Sequence, residues 1–182
     1  GGSCFPKDTL ALLRTAEMEG TPLRIVEAAV NANDARKKHM ADKIFAACDG
    51  SVEGKTVAIL GLTFKPNTDD MREAPSLYII PALQAAGARV RAFDPAGMKE
   101  AANELTDVEY CHDAYEALEG ADVVAIITEW NEFRALDLHR VKQIMKRPAM
   151  VDMRNIYDPE EIEHAGFTYL SIGRGSVTTG KE

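Results

Sequence analysis

The chain has 182 residues, of which 46% are apolar and 27% charged, with a formal net charge of −8. This is material for one ordinary domain plus a helical appendage, and the acidic balance argues against a nucleic-acid partner, whose phosphates need a basic face. No apolar run approaches the ~20 residues that span a bilayer, and the start lacks the basic-then-apolar pattern of a leader, so the expectation is a cytoplasmic protein with no membrane partner.

The chain opens with "GGSCFPKDT", which sets Cys4 between a glycine pair and Lys7-Asp8. The stretch reads either as a turn holding an inert cysteine or as a nucleophile set into a site. A lysine three residues on and a helix about to start both favour a thiolate, and the glycines permit close approach of a ligand. Asp8 is expected to cap a helix over Asp8–Glu19, with Leu10, Leu13 and Ala16 on one face and Gly20 as its stop. Thr21 and Pro22 open a second helix, expected to run unbroken from Pro22 to Cys48, roughly 40 Å at ~1.5 Å per residue. Along it Val26, Val30, Asn33, Lys37, Met40 and Ile44 alternate steps of four and three, a coiled-coil-like stripe with two polar interruptions. So long a helix predicts a partner helix, from its own subunit or from the second subunit of a homodimer.

"DGSVEG", residues Asp49 to Gly54, marks the expected boundary between a helical part (1–52) and a second domain (53–182). Beyond it short apolar runs alternate with helical stretches. Strands are expected over Thr56–Leu62, Arg89–Asp94, Asp107–Cys111, Ala121–Thr128, Ala149–Met153 and Phe167–Ile172. Helices are expected over Ser76–Gly87 and around Ala114–Leu118, Leu138–Met145 and Pro159–His164. This pattern predicts an α/β fold, a Rossmann-like doubly wound parallel sheet preceded by a helical segment with one long helix. Cys4, Cys48 and Cys111 are widely spaced and odd in number, so they read as reduced thiols. His39, His112, His139 and His164 lack ligand spacing, and no metal is expected.

The first strand leads into "GLTFKPNTDDMREAPS", Gly61 to Ser76, where neither GxGxxG nor GxxxxGK[ST] occurs. Lys65 and Arg72 stand in a long loop that opens onto a helix marked by Pro75. A helix N-terminus with nearby cations is an anion site, and a solvated surface loop is the alternative. Arg154, past the fifth strand, is expected at the same sheet edge. Asp94, ending the second strand, reads either as a ribose-binding acid or as a structural turn with Pro95. Trp130 and Phe133 read as packing residues.

"GGSCFPKD", "GLTFKPNTDDMREAPS", "AFDP" and "VDMRNIYD" together resemble the motifs of the UDP-glucose/GDP-mannose dehydrogenase family, over essentially the whole chain. The resemblance implies an NAD-dependent oxidoreductase of polysaccharide biosynthesis that oxidises the primary alcohol of a sugar nucleotide twice. Phe5, where the GDP-mannose members tend to carry leucine, favours UDP-glucose and its product UDP-glucuronate, with GDP-mannose or another sugar nucleotide as the alternative. In that scheme Cys4 attacks the aldehyde, a thiohemiacetal becomes a thioester, and water hydrolyses it, with Asp8 positioning the water. Lys7 and Arg72 match positions that reach the NAD. Phe64, Lys65 and Arg154 match positions that hold the UDP-sugar, and Gly1 and Phe5 match the lining of the sugar pocket. The matched motifs are those of the family's C-terminal half: part of the dimerising helical domain, then the UDP-binding domain, with NAD held mainly by an N-terminal domain. Two other readings stay open, a stand-alone nucleotide-sugar binding module without catalysis and an interaction protein built on the Pro22–Cys48 helix.

Overall fold

The computed structural model describes residues 4–175. Six strands form one sheet: β1 (Thr56–Leu60), β2 (Arg89–Phe93), β3 (Val108–Tyr110), β4 (Val123–Ile126), β5 (Ala149–Asp152) and β6 (Thr168–Ser171). Their order is β3-β2-β1-β4-β5-β6 and every pairing is parallel. Each expected strand forms, shortened at its ends. The reason is visible in burial: β4 and β5 are buried at every residue, so they must read as continuous apolar runs covered on both faces.

The two faces follow from the strand period of two. Val57 and Ile59 of β1 point into one core layer, with Ile79, Ile80 and Leu83 of α4 (Ser76–Ala85). Ala58 and Leu60 point into the other, with Leu118, Val141 and Ile162. Those three come from α6 (Ala114–Leu118), α8 (Leu138–Ile144) and α9 (Pro159–His164). Each of these helices starts at an aspartate whose side chain accepts N–H bonds from its own first turn: Asp113, Asp137 and Asp158. Two short helices carry too little apolar pattern to be read from sequence. They are α5 (Met98–Glu104), with only Ala101 buried, and α7 (Asn131–Arg134), with only Phe133 buried.

The helical segment departs from expectation twice. The first helix, α1, runs Cys4–Met18, so Asp8 lies inside it and is not its cap. Pro6 falls in the first turn, where backbone N–H groups have no helical acceptor and a missing one costs nothing. The single long helix is two: α2 (Arg24–His39) and α3 (Ala41–Ala47), with Met40 between them. The entry to α2 is at Leu23, without a side-chain cap, rather than at Thr21-Pro22. The break has a packing cause. Ala41, Ile44 and Ala47 of α3 are buried in the sheet's core layer, whereas Lys37 is the only buried residue of α2. The break falls where the packing changes, from the exposed α2 to α3 against the sheet. Four basic residues in the last turn, Arg36 to His39, suit the negative end of the α2 dipole. No helix of the described residues is long and apolar enough to cross a membrane.

Candidate functional site

The strand order reverses between β1 and β4, which opens a crevice at the carboxyl ends of those strands. The loop after β1 enters it through Gly61, whose φ is +90°. A Cβ there would stand 2.5 Å from Thr128 Cβ and 2.6 Å from its backbone nitrogen, so only glycine fits. The next residues are tied to Asp94, which is 1% exposed. Its Oδ2 accepts from Leu62 N at 2.7 Å, Thr63 N at 3.2 Å and Trp130 Nε1 at 3.1 Å. Its Oδ1 accepts from Ala96 N at 3.0 Å and Gly97 N at 2.7 Å. Asp94 is therefore the structural turn of the two readings, with its lone pairs engaged by the chain itself. Trp130 and Phe133 are core, as expected.

A second buried aspartate does the same work at the end of β5. Asp152 Oδ1 accepts from Arg154 N at 2.9 Å, and Oδ2 from Ile156 N at 2.7 Å and Tyr169 Oη at 2.9 Å. Burial, with the Asp152 charge beside it, pushes the Tyr169 hydroxyl far above its ordinary range. The turn so fixed presents Arg154, whose guanidinium grips Glu129 at 2.5 and 2.8 Å. Burial works against the Glu129 carboxylate, but the Arg154 bonds outweigh it and hold the group below its ordinary pKa. Between this edge and α2 lies a cavity of about 210 Å³, lined by Asn33, Arg36 and Lys37 together with Pro75, Ile127 and Arg154.

Beside it stands a knot that joins α2 to the long loop. Lys37, 5% exposed, donates to Glu73 Oε2 at 2.5 Å and lies 4.7 Å from the centre of the Tyr78 ring. Tyr78 Oη donates to the same Glu73 oxygen at 3.0 Å. Burial opposes the Lys37 charge, yet the Glu73 contact prevails and raises its pKa. Glu73 and Tyr78 in turn line a smaller cavity of about 100 Å³ with Phe5, Pro6 and Asn33.

The expected site residues are distributed around these features. Cys4 is exposed on α1, three residues before Lys7. Phe5 is 55% exposed at the smaller cavity. Lys7 and Asp8 are both exposed and pair at 3.3 Å. Arg72 makes a two-pronged contact with Asp70, at 2.9 and 2.7 Å. That contact holds the Arg72 pKa above its ordinary value. Lys65 is exposed with its ammonium 5.2 Å from the centre of the Phe64 ring, on the same loop but not in the wall that carries Arg154. Gly1 lies outside the described residues. Asn33, Arg36 and Glu129 escaped sequence reasoning as site residues. The signal for Asn33 was its polar interruption of the apolar stripe, and nothing local marks the other two.

The chain matches the UDP binding domain of the UDP-glucose/GDP-mannose dehydrogenase family over residues 58–159, and that family's central domain over residues 1–35. It is 55% identical over 174 residues to a UDP-glucose 6-dehydrogenase of Rhizobium meliloti, covering 96% of this chain and 40% of that protein. Among solved structures it resembles a UDP-glucose dehydrogenase from Pyrobaculum islandicum, with a TM-score of 0.78, 34% identity, and 93% and 37% of the two chains covered. It also resembles an NDP-N-acetyl-D-galactosaminuronic acid dehydrogenase from Methanosarcina mazei, with a TM-score of 0.83, 28% identity, and 96% and 38% covered. The chain spans about 40% of the length of the curated relatives it matches. Its sheet order, its cysteine-bearing first helix and these matches agree: the chain belongs to the UDP-glucose/GDP-mannose dehydrogenase family.

Proposed function

We propose that this chain is the C-terminal portion of an NAD-dependent UDP-glucose 6-dehydrogenase, which oxidises UDP-glucose to UDP-glucuronate. One observation carries the reading. Cys4 immediately precedes Phe5, which lines the smaller cavity, and that cavity shares Asn33 with the basic cavity at the strand ends. A sugar nucleotide has this shape of chemistry: an anionic diphosphate at one end and a reacting carbon at the other. The identity to a UDP-glucose 6-dehydrogenase supports glucose as the sugar, while the fold is shared with an enzyme named for an acetylated sugar and does not choose.

In this reading Arg154 and Lys65 bind the diphosphate, and Phe64 packs beside Lys65 on the sheet-edge loop. Phe5 lines the sugar end. The Cys4 sulfur adds to the aldehyde carbon of the half-oxidised sugar and holds it as a thiohemiacetal, which on oxidation becomes a thioester. Asp8, one turn further along α1, helps to position the water that hydrolyses it. NAD, when bound, supplies the hydride acceptor. The residues present fit one side of it only. Lys7 and Arg72 are exposed cations able to meet its phosphates or carboxamide. The wide cleft at Arg72 is otherwise lined by Asp69, Asp70, Glu73, Glu100 and Glu104, which repel a pyrophosphate. Residues 1–52 serve as part of a dimerising domain in a homodimer and residues 53–182 as the UDP-sugar domain. Leu10, Met18 and Ile25, exposed by 54%, 80% and 87% on α1 and α2, support a subunit contact there.

The test is calorimetric titration of UDP into the 182-residue chain and into Lys65→Ala and Arg154→Ala. A charge-assisted hydrogen bond to phosphate is worth roughly 1.5–3 kcal/mol, so each substitution should weaken binding about ten- to a hundredfold. Binding by the wild type that neither substitution alters refutes this placement of the nucleotide.

A further inference from the structure

Two polar residues interrupt the apolar stripe of α2, and the structure gives them different surroundings. Lys37 is saturated: Glu73 at 2.5 Å, Asp34 at 3.5 Å and the face of Tyr78 consume its ammonium. Asn33, one turn earlier on the same face, is half-buried, and its amide has no hydrogen-bond partner among the described residues. A carboxamide brings two donor hydrogens and an oxygen with two lone pairs. The amide is partly open at the cavity wall, so solvent reaches it and a ligand group can take the place of water there.

Its position says what that visitor is. Asn33 lines both the larger cavity, with Arg36 and Arg154, and the smaller one, with Phe5 next to Cys4. A ligand whose diphosphate rests among the arginines and whose terminal carbon reaches Cys4 passes Asn33 on the way. The part of it at that point is the hexose. Sugar hydroxyls donate and accept at once, and a neutral carboxamide does the same. The Lys37–Glu73–Tyr78 knot holds the wall against which the hexose would lie.

We infer that Asn33 is a sugar-binding residue, hydrogen-bonding the hexose hydroxyls of the nucleotide sugar between the arginine cavity and Cys4. This rests on the placement of the UDP-sugar proposed above. The two polar positions of the stripe thus differ in role: Lys37 is consumed within the chain, and Asn33 faces the cavities.

The test uses the 182-residue chain with two ligands, UDP and UDP-glucose, titrated calorimetrically into wild type and Asn33→Ala, with thermal melts alongside. Asn33→Ala should weaken UDP-glucose by about three- to tenfold, the worth of one or two neutral hydrogen bonds, and leave UDP within about twofold. The melting temperature should hold or rise, because alanine is the better helix former and no bond within the chain is lost. A structural role would instead lower the melting temperature and weaken both ligands alike. Equal losses for UDP and UDP-glucose, or no loss for UDP-glucose, overturn the assignment while leaving the nucleotide placement standing. A wild type that binds neither ligand removes that placement and Asn33's role with it.

Discussion

Replacing Asp94 by alanine should cost far more than a surface substitution. The carboxylate is 1% exposed and accepts from five N–H groups: those of Leu62, Thr63, Ala96 and Gly97 in the backbone and the Trp130 indole. Each buried donor left without a partner costs about 1–3 kcal/mol. Water entering the vacated space would recover part of that, so the net loss should be ~3–5 kcal/mol, as for other broken buried charge networks. At roughly 2–4 °C per kcal/mol for a chain of this size, the melting temperature should fall by roughly 6–20 °C. Thermal and urea unfolding followed by circular dichroism measure both. Asp94→Asn, which keeps the shape and one acceptor oxygen, should fall between wild type and alanine. UDP affinity should drop with stability, since the same bonds hold the loop that carries Lys65. An alanine variant that unfolds within about 1 kcal/mol of wild type refutes this reasoning. If that variant nonetheless lost ligand affinity, Asp94 would be the ribose-binding acid after all.

The 182-residue chain mixed with NAD and UDP-glucose should form no NADH, because the turn after β1 lacks the glycine pattern that seats a dinucleotide; measurable NADH contradicts this. Glu73 is held below its ordinary value of 4.5, chiefly by the Lys37 hydrogen bond. A carboxylate with a depressed folded pKa stabilises fully above its unfolded value and less as pH falls through the folded one. The acid limb of stability should therefore be steeper in wild type than in Glu73→Gln between roughly pH 5 and pH 3, and superimposable limbs would rule the coupling out. In sedimentation at tens of micromolar, where an interface worth roughly 8 kcal/mol would hold, the chain should run as a dimer that Ile25→Glu disrupts. A wild-type monomer ends that proposal.

The sheet was legible in the sequence because its signal is local. "VAIL" and "VVAI" are apolar without interruption, as a strand covered on both faces tends to be. The helices near Ala114, Leu138 and Pro159 were legible too, and the structure shows that each begins at an aspartate cap bonding within its own turn. The start of α1 was not, because Pro6 reads as a breaker unless the register places it in the first turn. Nor was the break at Met40, because the stripe continues through it while the sheet takes only the part beyond. The motif around Cys4 was recognisable from its residue order alone, but nothing in that order sets Asn33 between two cavities. Asp94 stood undecided between ribose and turn until its donors were known. Leu62, Thr63 and Trp130 lie more than thirty residues away along the chain. Hydrogen-bond partners so distant in sequence are chosen by how the strands stack, and only the tertiary structure decides them.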